Sequence, residues 1–351
     1  RSVAEHRAKD RLLVACAGGQ LLQMDAEGRG VLARTYVDSD LRDVLVSDDA
    51  IFVTRFRSAE LLRLSPEYLV TARYVPRAQR TVRRDIMVPR VAWRARLTPN
   101  GRVAMVHQLA RETPVQVDVH QESQEAADGK RARRDITSRS SGASYGAPPP
   151  ANDAGEQDLG CNGGLVHAAV SYFDDEGVRS TAVVPGAVLA VDLSLRPSGS
   201  GLDRDTEVVL AVPGNETETV VTTHALRAGA FDDCAEEGDR LEVEDQAVAV
   251  AVAPNGEIFS LNRRFGTLAN LDLGEEVELD AAERDVFDSG HDLFHVDTGA
   301  GIACALCHPE GRDDGHTWNF TAFGLRRTQN LAIGGIKGTE PFHWDGELRG
   351  F

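Results

Sequence analysis

The sequence has few aromatic residues, no long apolar run and a deficit of basic residues. Phe, Trp and Tyr make up 6% of the 351 residues, and 38 Lys and Arg stand against 55 Asp and Glu, for a net charge of −17. No run of about 18 apolar residues occurs, so the sequence predicts no membrane span. Because a phosphate backbone requires a basic surface, the charge excludes nucleic acid and an anionic membrane surface as predicted partners.

Cysteine is scarce too, but two of the five cysteines stand close together in Cys304-Ala305-Leu306-Cys307-His308. C-x-x-C-H is the pattern for covalent attachment of a c-type haem. On one helical turn both sulfurs lie on the same side and can form thioethers to the two vinyl groups of one porphyrin. The motif therefore predicts one haem c, bound by Cys304 and Cys307, with His308 as the metal ligand that binds its iron.

Three other interpretations of the motif remain open. A zinc site would need His308 and His316 to complete the four ligands, at an unusual spacing. A thioredoxin-like redox pair would need a βαβ context, whereas the flanking residues are rich in Gly and Asp. A disulfide between Cys304 and Cys307 would be strained.

The other cysteines bear on the cellular compartment. A c-type haem is normally attached outside the cytoplasm, so the sequence predicts a periplasmic or secreted bacterial protein whose targeting segment has been removed or lies outside this sequence. In an oxidising compartment Cys161 and Cys234 can form a disulfide that leaves Cys16 free. The sequence alone does not assign that pairing.

Hairpin signals recur through the first two-thirds of the chain. Turns that contain Asp49, Asn100 and Asn255 are flanked by short apolar strands, and Asn-Gly in such a place is a strong hairpin signal. The first two turns are 51 positions apart and the last two are 155 apart, close to three such intervals. A recurrence of about fifty residues favours β-propeller blades over an irregular sandwich or barrel. We therefore predict a β-propeller-like domain over residues 1–278.

Residues 121–160 break this pattern. They include the basic patch Lys130–Arg134 and the prolines Pro148–Pro150, and they contain too few apolar residues to offset the entropy of ordering. We therefore predict a disordered or loosely packed insertion, with a flexible partner-binding arm as the alternative. The Arg-rich run Arg73–Arg96 alternates with apolar residues and is predicted to be the solvated face of β-strands.

A second, helical domain is predicted over residues 279–351. Asp280–Phe294 has helix-compatible spacing of apolar residues, interrupted by Gly290. Beyond the haem motif, Arg326-Arg327 is suited to bind haem propionates, with an ordinary surface role as the alternative. The predicted fold class is thus a mainly β N-terminal domain, a β-propeller, followed by a small all-α cytochrome c-type haem domain.

Several short motifs in this second domain follow the order found in one family. They are Gly290-x-x-Leu293-Phe294, Cys304-x-x-Cys307-His308-Pro309, Asp314-Gly315, Gly324-Leu325-Arg326-Arg327-Thr328-x-Asn330-Leu331 and Trp344-Asp345-Gly346. This order resembles the first haem domain of the bacterial di-haem cytochrome c peroxidase family, which includes the MauG-like proteins. A propeller fused to the N-terminal side of such a domain also resembles bacterial members of this group.

The resemblance implies roles for particular residues. Trp344 matches the tryptophan that relays electrons between the two haems, and Arg326 matches an arginine near the haem. His316 and His343 are the candidates for a distal acid–base group that helps to cleave the O–O bond of peroxide. Since only one C-x-x-C-H is present, a second haem is expected only if the polypeptide continues past Phe351; a mono-haem variant is the alternative.

Two functions follow from the resemblance. The first is a peroxidase-type oxidoreductase that reduces hydrogen peroxide, or oxidises a partner, and exchanges electrons with a small redox donor or acceptor protein. The second is a non-catalytic electron-transfer cytochrome whose propeller docks a redox partner. An exchangeable sixth iron ligand favours the first, and two strong axial ligands favour the second.

Overall fold

The protein is described by a computed structural model that covers residues 2–81, 84–116, 164–197, 206–214, 219–225, 231–243, 246–279, 288–298 and 301–332. Within these ranges the chain is almost entirely β. Four sheets have four strands each, one has six and one has two. Apart from one parallel pair in the six-stranded sheet, neighbouring strands are antiparallel.

The first two sheets are formed by consecutive strands. The first sheet consists of β1 (Val3–His6), β2 (Arg11–Ala15), β3 (Gln20–Asp25) and β4 (Val31–Tyr36). The second sheet consists of β5 (Leu41–Val46), β6 (Ile51–Arg55), β7 (Glu60–Leu64) and β8 (Val70–Tyr74). A short 3₁₀ helix, Arg7–Lys9, forms the turn between β1 and β2.

The third sheet ends in a strand that comes later in the chain, between the last two strands of the fourth sheet. The third sheet consists of β9 (Gln79–Arg80), β10 (Ile86–Leu97), β11 (Val103–Arg111), β12 (Val166–Asp174), β13 (Gly177–Val183) and β17 (Phe231–Cys234). The fourth consists of β14 (Asp192–Pro197), β15 (Thr206–Val212), β16 (Thr219–Ala225) and β18 (Glu236–Val243). The fifth consists of β19 (Ala247–Val252), β20 (Ile258–Asn262), β21 (Thr267–Asn270) and β22 (Glu275–Glu278).

Successive sheets meet mainly along β1, β5, β10, β14 and β19, and neighbouring strands such as β2 and β15 add to these contacts. This arrangement, in which the same strand of each blade lies next to the adjacent blades, confirms the predicted propeller. The turns that contain Asp49, Asn100 and Asn255 each join one of these strands to the next strand of its own sheet, so the recurrence in the sequence marks equivalent places. Two of these turns need a glycine, since Gly101 and Gly256 have φ of +74° and +90°, where a side chain is strained.

Polar side chains connect the contacting strands of neighbouring sheets. In each case a side-chain oxygen on one strand accepts a hydrogen bond from a backbone N–H of the next: Ser2 from Val44, Asp43 from Ala95 and Asp192 from Val250. Arg94 bridges three sheets by donating to Asp43 (3.1 Å) and to Asp192 (3.0 Å). These partners satisfy the carboxylates of Asp43 and Asp192, which are 1% and 2% exposed. A buried carboxylate without a partner would destabilise the fold.

Residues 301–332 lie against the propeller rather than forming a helical domain. They contain the one-turn helix α2 (Cys304–Cys307), a 3₁₀ turn at Pro309–Gly311 and a two-stranded sheet of β23 (Thr317–Phe320) and β24 (Gly324–Arg327). Before them, α1 (Ser289–His295) is capped by the carboxylate of Asp288, which accepts from the N–H groups of Gly290 and His291. No other α-helix occurs among the described residues.

The predicted all-α cytochrome domain is therefore wrong. The physical reason lies in the core: Ala303, Leu306, Trp318 and Phe320 pack into the same apolar cluster as residues of β10, β11 and β12. Because the propeller covers these side chains, the segment needs no helical shell of its own. Of the predicted helix over Asp280–Phe294, only the last part is described, and it is α1.

Other predictions meet the structure only in part. The predicted disordered insertion, 121–160, lies outside the described residues, as does Cys161. Cys234 is in a disulfide, whereas Cys16, Cys304 and Cys307 have free thiols. In the described part of the chain no helix is long and apolar enough to cross a membrane.

Candidate haem-attachment site

The C-x-x-C-H motif occupies α2 and the residue after it. The preceding Ala303 has extended backbone, and the helix ends where the N–H of His308 donates to the carbonyl of Cys304 at 2.9 Å. Ala305 and Leu306 are each 1% exposed, whereas Cys304 is exposed and Cys307 is half-buried. The single turn thus packs its two central residues on the propeller and leaves the first thiol towards solvent.

His308 has a fixed ring with one nitrogen available. Its Nδ1 lies 3.1 Å from the carbonyl oxygen of Arg312. A tight turn supports this contact, since the N–H of Gly311 donates to the His308 carbonyl at 2.9 Å and the N–H of Arg312 donates to Pro309 at 3.0 Å. When Nδ1 carries the proton, it donates to Arg312 and leaves the lone pair of Nε2 free for a metal.

The thiol of Cys307 lacks the properties of a reactive cysteine. Burial, with a smaller contribution from the nearby Asp314 carboxylate, raises the pKa of the Cys307 thiol far above its usual value. Redox-active and zinc-binding cysteines need a lowered thiol pKa, because the thiolate is the reacting or ligating form. The environment of Cys307 therefore disfavours both the thioredoxin-like pair and the zinc site.

His316, the fourth ligand of that zinc alternative, is occupied by protein partners. It is 2% exposed, its Nε2 lies 2.9 Å from the Arg111 carbonyl, and Arg90 donates to its Nδ1 at 3.3 Å. The ring stands edge-on to Trp318, with centroids 4.6 Å apart. Burial lowers the pKa of His316, so the neutral tautomer with the proton on Nε2 satisfies both contacts.

The described residues contain no group of three or more His, Cys, Asp and Glu side chains arranged to hold a metal ion. The expectation of a metal-binding group made of protein side chains, which the zinc alternative requires, is therefore wrong for the described part of the chain.

The remaining predicted site residues are only partly described. Arg326 lies on β24, partly exposed, and donates to the carbonyl of Leu325 at 3.1 Å. His343 and Trp344 lie outside the described residues. The predicted roles of Arg326 at the haem and of His316, His343 and Trp344 in chemistry stay predictions.

The propeller contributes residues that the sequence did not single out. With its amide oriented to satisfy both neighbours, Gln108 donates to the Leu306 carbonyl at 3.0 Å and accepts from the Trp93 indole at 3.3 Å. Val115 follows β11 in the chain and forms an isolated parallel bridge with Phe320 of β23: its N–H donates to the Asn319 carbonyl at 2.7 Å, and its carbonyl accepts from the Thr321 N–H at 3.0 Å. These residues are about two hundred positions before the residues that they contact, 198 for Gln108 and Leu306 and 204 for Val115 and Asn319, so no local pattern could have found them.

Arginines make further contacts with the segment. Arg42 forms an ion pair with Glu310, and Arg57 forms one with Asp313 at 3.0 Å. Arg90, which contacts His316, and Arg94 both lie in the Arg-rich run that the sequence assigned to a solvated face. In the structure their guanidinium groups instead contact residues of other elements: Arg90 contacts His316, and Arg94 contacts Asp43 and Asp192.

Comparison with known proteins gives no family for this chain. No family model and no curated protein matches it. Among solved structures it is similar to a virginiamycin B lyase from Staphylococcus aureus, with a TM-score of 0.46 and 8% identity over 80% of this chain and 70% of the lyase. It is also similar to a gluconolactonase from Xanthomonas campestris, with a TM-score of 0.43 and 13% identity over 79% of this chain and 73% of the lactonase. A streptogramin B lyase has a TM-score of 0.37 and 12% identity over 80% of this chain and 83% of the lyase.

These findings correct the predicted family. The short motifs had indicated a di-haem cytochrome c peroxidase or MauG-like protein, but no family model and no curated protein of that kind matches the chain, and the described part of the segment that carries the motifs forms no helical haem domain. That family assignment is wrong. The functions derived from it, a peroxidase-type oxidoreductase and an electron-transfer cytochrome with a docking propeller, are wrong with it. Similarities with such identities and TM-scores carry no activity from the lyases or the lactonase to this chain.

Proposed function

We propose that this chain covalently attaches one c-type haem on the surface of a β-propeller. Cys304 and Cys307 would form the thioethers and His308 would be the axial ligand of the iron. The proposal concerns the cofactor and its attachment, and it assigns no reaction to the loaded protein.

The observation that carries the proposal is the state of the three motif residues. Both thiols are free, although the chain forms a disulfide at Cys234, and they stand on a single helical turn. The His308 ring is already held through Nδ1, which is the outer hydrogen bond that a metal-ligating histidine normally makes. The porphyrin supplies four nitrogen ligands, so the iron needs only His308 from this motif.

The proposal also explains how the site fits the propeller. A covalently tethered haem does not require a fully enclosing pocket, and one helical turn on the propeller carries both sulfurs, with Cys304 exposed and Cys307 half-buried. When bound, the haem supplies a redox-active iron whose properties depend on axial ligand, hydrogen bonding and burial. The chain's own contribution is to fix the thiols and to orient His308.

A periplasmic or secreted location is part of the same proposal. Attachment of haem c takes place outside the cytoplasm, where disulfides also persist. The disulfide of Cys234 supports that compartment.

The test is production of the full chain together with a cytochrome c maturation system, followed by intact mass measurement under denaturing conditions. We expect a mass increase of one haem and the ferrous pyridine absorption band of a haem with two thioethers. Cys304→Ala together with Cys307→Ala should abolish the covalent increment.

The matched control is Cys16→Ala, which removes another free thiol of the chain and should leave the haem in place. If the unsubstituted chain carries no covalent haem, or if the double variant retains it, the proposal fails.

A further inference from the structure

We infer that Arg42 and Arg57, two arginines of the propeller, are positioning residues for His308. The inference rests on the proposed haem site and extends it, because neither arginine belongs to the motif. Both side chains reach the loop Pro309–Asp313, and this loop contains the Arg312 carbonyl that lies 3.1 Å from the His308 Nδ1. Whatever fixes that loop therefore fixes the direction in which His308 points.

Arg57 holds the C-terminal side of the loop through two parallel contacts. Its Nε donates to the Asp313 carbonyl at 3.1 Å, and its Nη2 donates to the Asp313 carboxylate at 3.0 Å. The Arg57 backbone is fixed as well, since its N–H donates to Asp40 at 2.8 Å. A forked contact of this kind constrains both distance and orientation, and it acts on the residue directly after Arg312.

Gly315 shows that the segment is shaped around Arg57. A Cβ at this position would stand 2.9 Å from Cδ of Arg57 and 3.1 Å from its Cβ, which is closer than carbon atoms normally approach. Gly315 also has a φ of +71°, a conformation that costs other residues energy. The absence of a side chain thus allows the stem of Arg57 to lie directly on the loop.

Arg42 holds the N-terminal side of the loop. Its Nη1 pairs with the carboxylate of Glu310, its Nε donates to the Trp93 carbonyl at 3.1 Å, and its guanidinium lies 4.8 Å from the centre of the Phe56 ring. The Arg42 side chain is 10% exposed and that of Glu310 is 37% exposed, so water screens this pair partly, less than a pair with two exposed side chains. The two arginines consequently hold residues 310 and 313, on both sides of Arg312.

This arrangement makes a physical connection from the propeller to the proposed iron ligand. Loss of either arginine would let the loop move, and the Arg312 carbonyl would no longer hold the His308 ring. Removing the outer hydrogen bond of a metal-ligating histidine typically lowers metal affinity by roughly ten- to a hundredfold. We therefore expect a weaker bond between iron and His308, with the thioethers intact.

The test uses the haem-loaded full chain with Arg57→Gln and, separately, Arg42→Gln. The ferrous protein is treated with nitric oxide, and electron paramagnetic resonance gives the ratio of haem without to haem with an axial histidine. Each variant should raise this ratio by roughly tenfold. Arg57→Lys keeps the charge but loses the fork, so its ratio should fall between those of Arg57→Gln and the unsubstituted chain.

The control is Arg55→Gln, at the end of β6, where the arginine pairs with Glu60 at 2.6 Å and with Asp38 at 3.5 Å. It should leave the ratio unchanged. Asp313→Asn removes the partner charge instead of the arginine and serves as a second variant if Arg57→Gln does not fold.

The possible failures are distinguishable. A chain without covalent haem refutes the proposed function and, with it, this inference. A loaded chain in which the arginine variants and Arg55→Gln give the same nitrosyl spectrum refutes the positioning role alone.

Discussion

The second sheet and residues 301–332 are held together in different ways. In the second sheet, β5 to β8 satisfy their backbone groups in ladders with one another, and the buried faces of the strands form an apolar cluster with the first sheet. Residues 301–332 have one helical turn and two short strands, and distant side chains hold their loops: Arg42, Arg57, Arg90 and Gln108. The comparison shows that a site with little regular structure can still be fixed by its support.

The largest expected effect tests whether the segment and the propeller fold as one unit. Trp318→Ala removes an indole that is 2% exposed and donates to the Thr328 hydroxyl at 3.0 Å. Loss of a buried aromatic side chain costs about 3–5 kcal/mol. Chemical denaturation in a Trp344→Phe background, in which Trp93 is the remaining tryptophan of the Trp318→Ala variant, should show the whole fluorescence transition at lower denaturant.

A separate transition at lower denaturant, with the midpoint of the Trp93 signal unchanged, would contradict this expectation, because residues 301–332 would then unfold independently of the propeller. Leu62→Ala, in the apolar cluster of the second sheet, is the matched control and should cost about 2–5 kcal/mol in a single transition.

The next effect concerns pH and the propeller alone. His107 on β11 is fully buried, with Nε2 2.8 Å from the Ser171 hydroxyl, and burial lowers its pKa to about 4. Between pH 6.5 and 4, His107 is protonated in the unfolded chain but stays neutral in the folded chain. The free energy of unfolding therefore falls as the pH decreases. The loss is on the order of 3 kcal/mol at pH 4 for this histidine.

Unfolding free energies measured at several pH values check this expectation. His107→Gln should destabilise the protein near pH 7 but should reduce the pH slope by about one proton. An unchanged slope in the variant would show that His107 is not the titrating group.

The smallest expected effect isolates the contact between the two regions. Gly315→Ala and Gly324→Ala both place a side chain at φ +71°, but only the first meets Arg57, whereas nothing lies within 4 Å of the second. In both variants, backbone strain should lower the free energy of unfolding by about 1 kcal/mol. At Gly315 the steric contact with Arg57 should lower the free energy of unfolding by roughly 1 kcal/mol more.

Thermal unfolding of the two variants gives this difference directly. Equal shifts would mean that Arg57 moves aside freely, and would weaken its proposed role in holding the loop.

The family resemblance failed for a reason that the segment itself makes clear. Motifs such as Asp314-Gly315 and Arg326-Arg327 are short, and their order along the chain does not state what they pack against. In this structure Asp314 accepts from the His316 N–H at 2.8 Å, and Trp318 and Phe320 bury themselves in the propeller core. A family assignment from such motifs holds only where the surrounding fold follows as well.

The sequence by itself determined the local features of this protein. Alternating apolar residues and Asn-Gly turns specify hairpins within a few positions, and their recurrence predicted the propeller. The spacing of Cys304, Cys307 and His308 predicts the haem attachment in the same way, because a single helical turn sets the geometry.

Only the tertiary structure decided what surrounds the motif. Arg57 and Asp313 are 256 positions apart, and no period or spacing in the sequence relates them. The same holds for Arg94, which belongs to an alternating run typical of an exposed strand face yet bridges two buried carboxylates. Such contacts depend on how the sheets are placed around one another, and this placement follows from burial summed over the whole chain rather than from any one stretch of it.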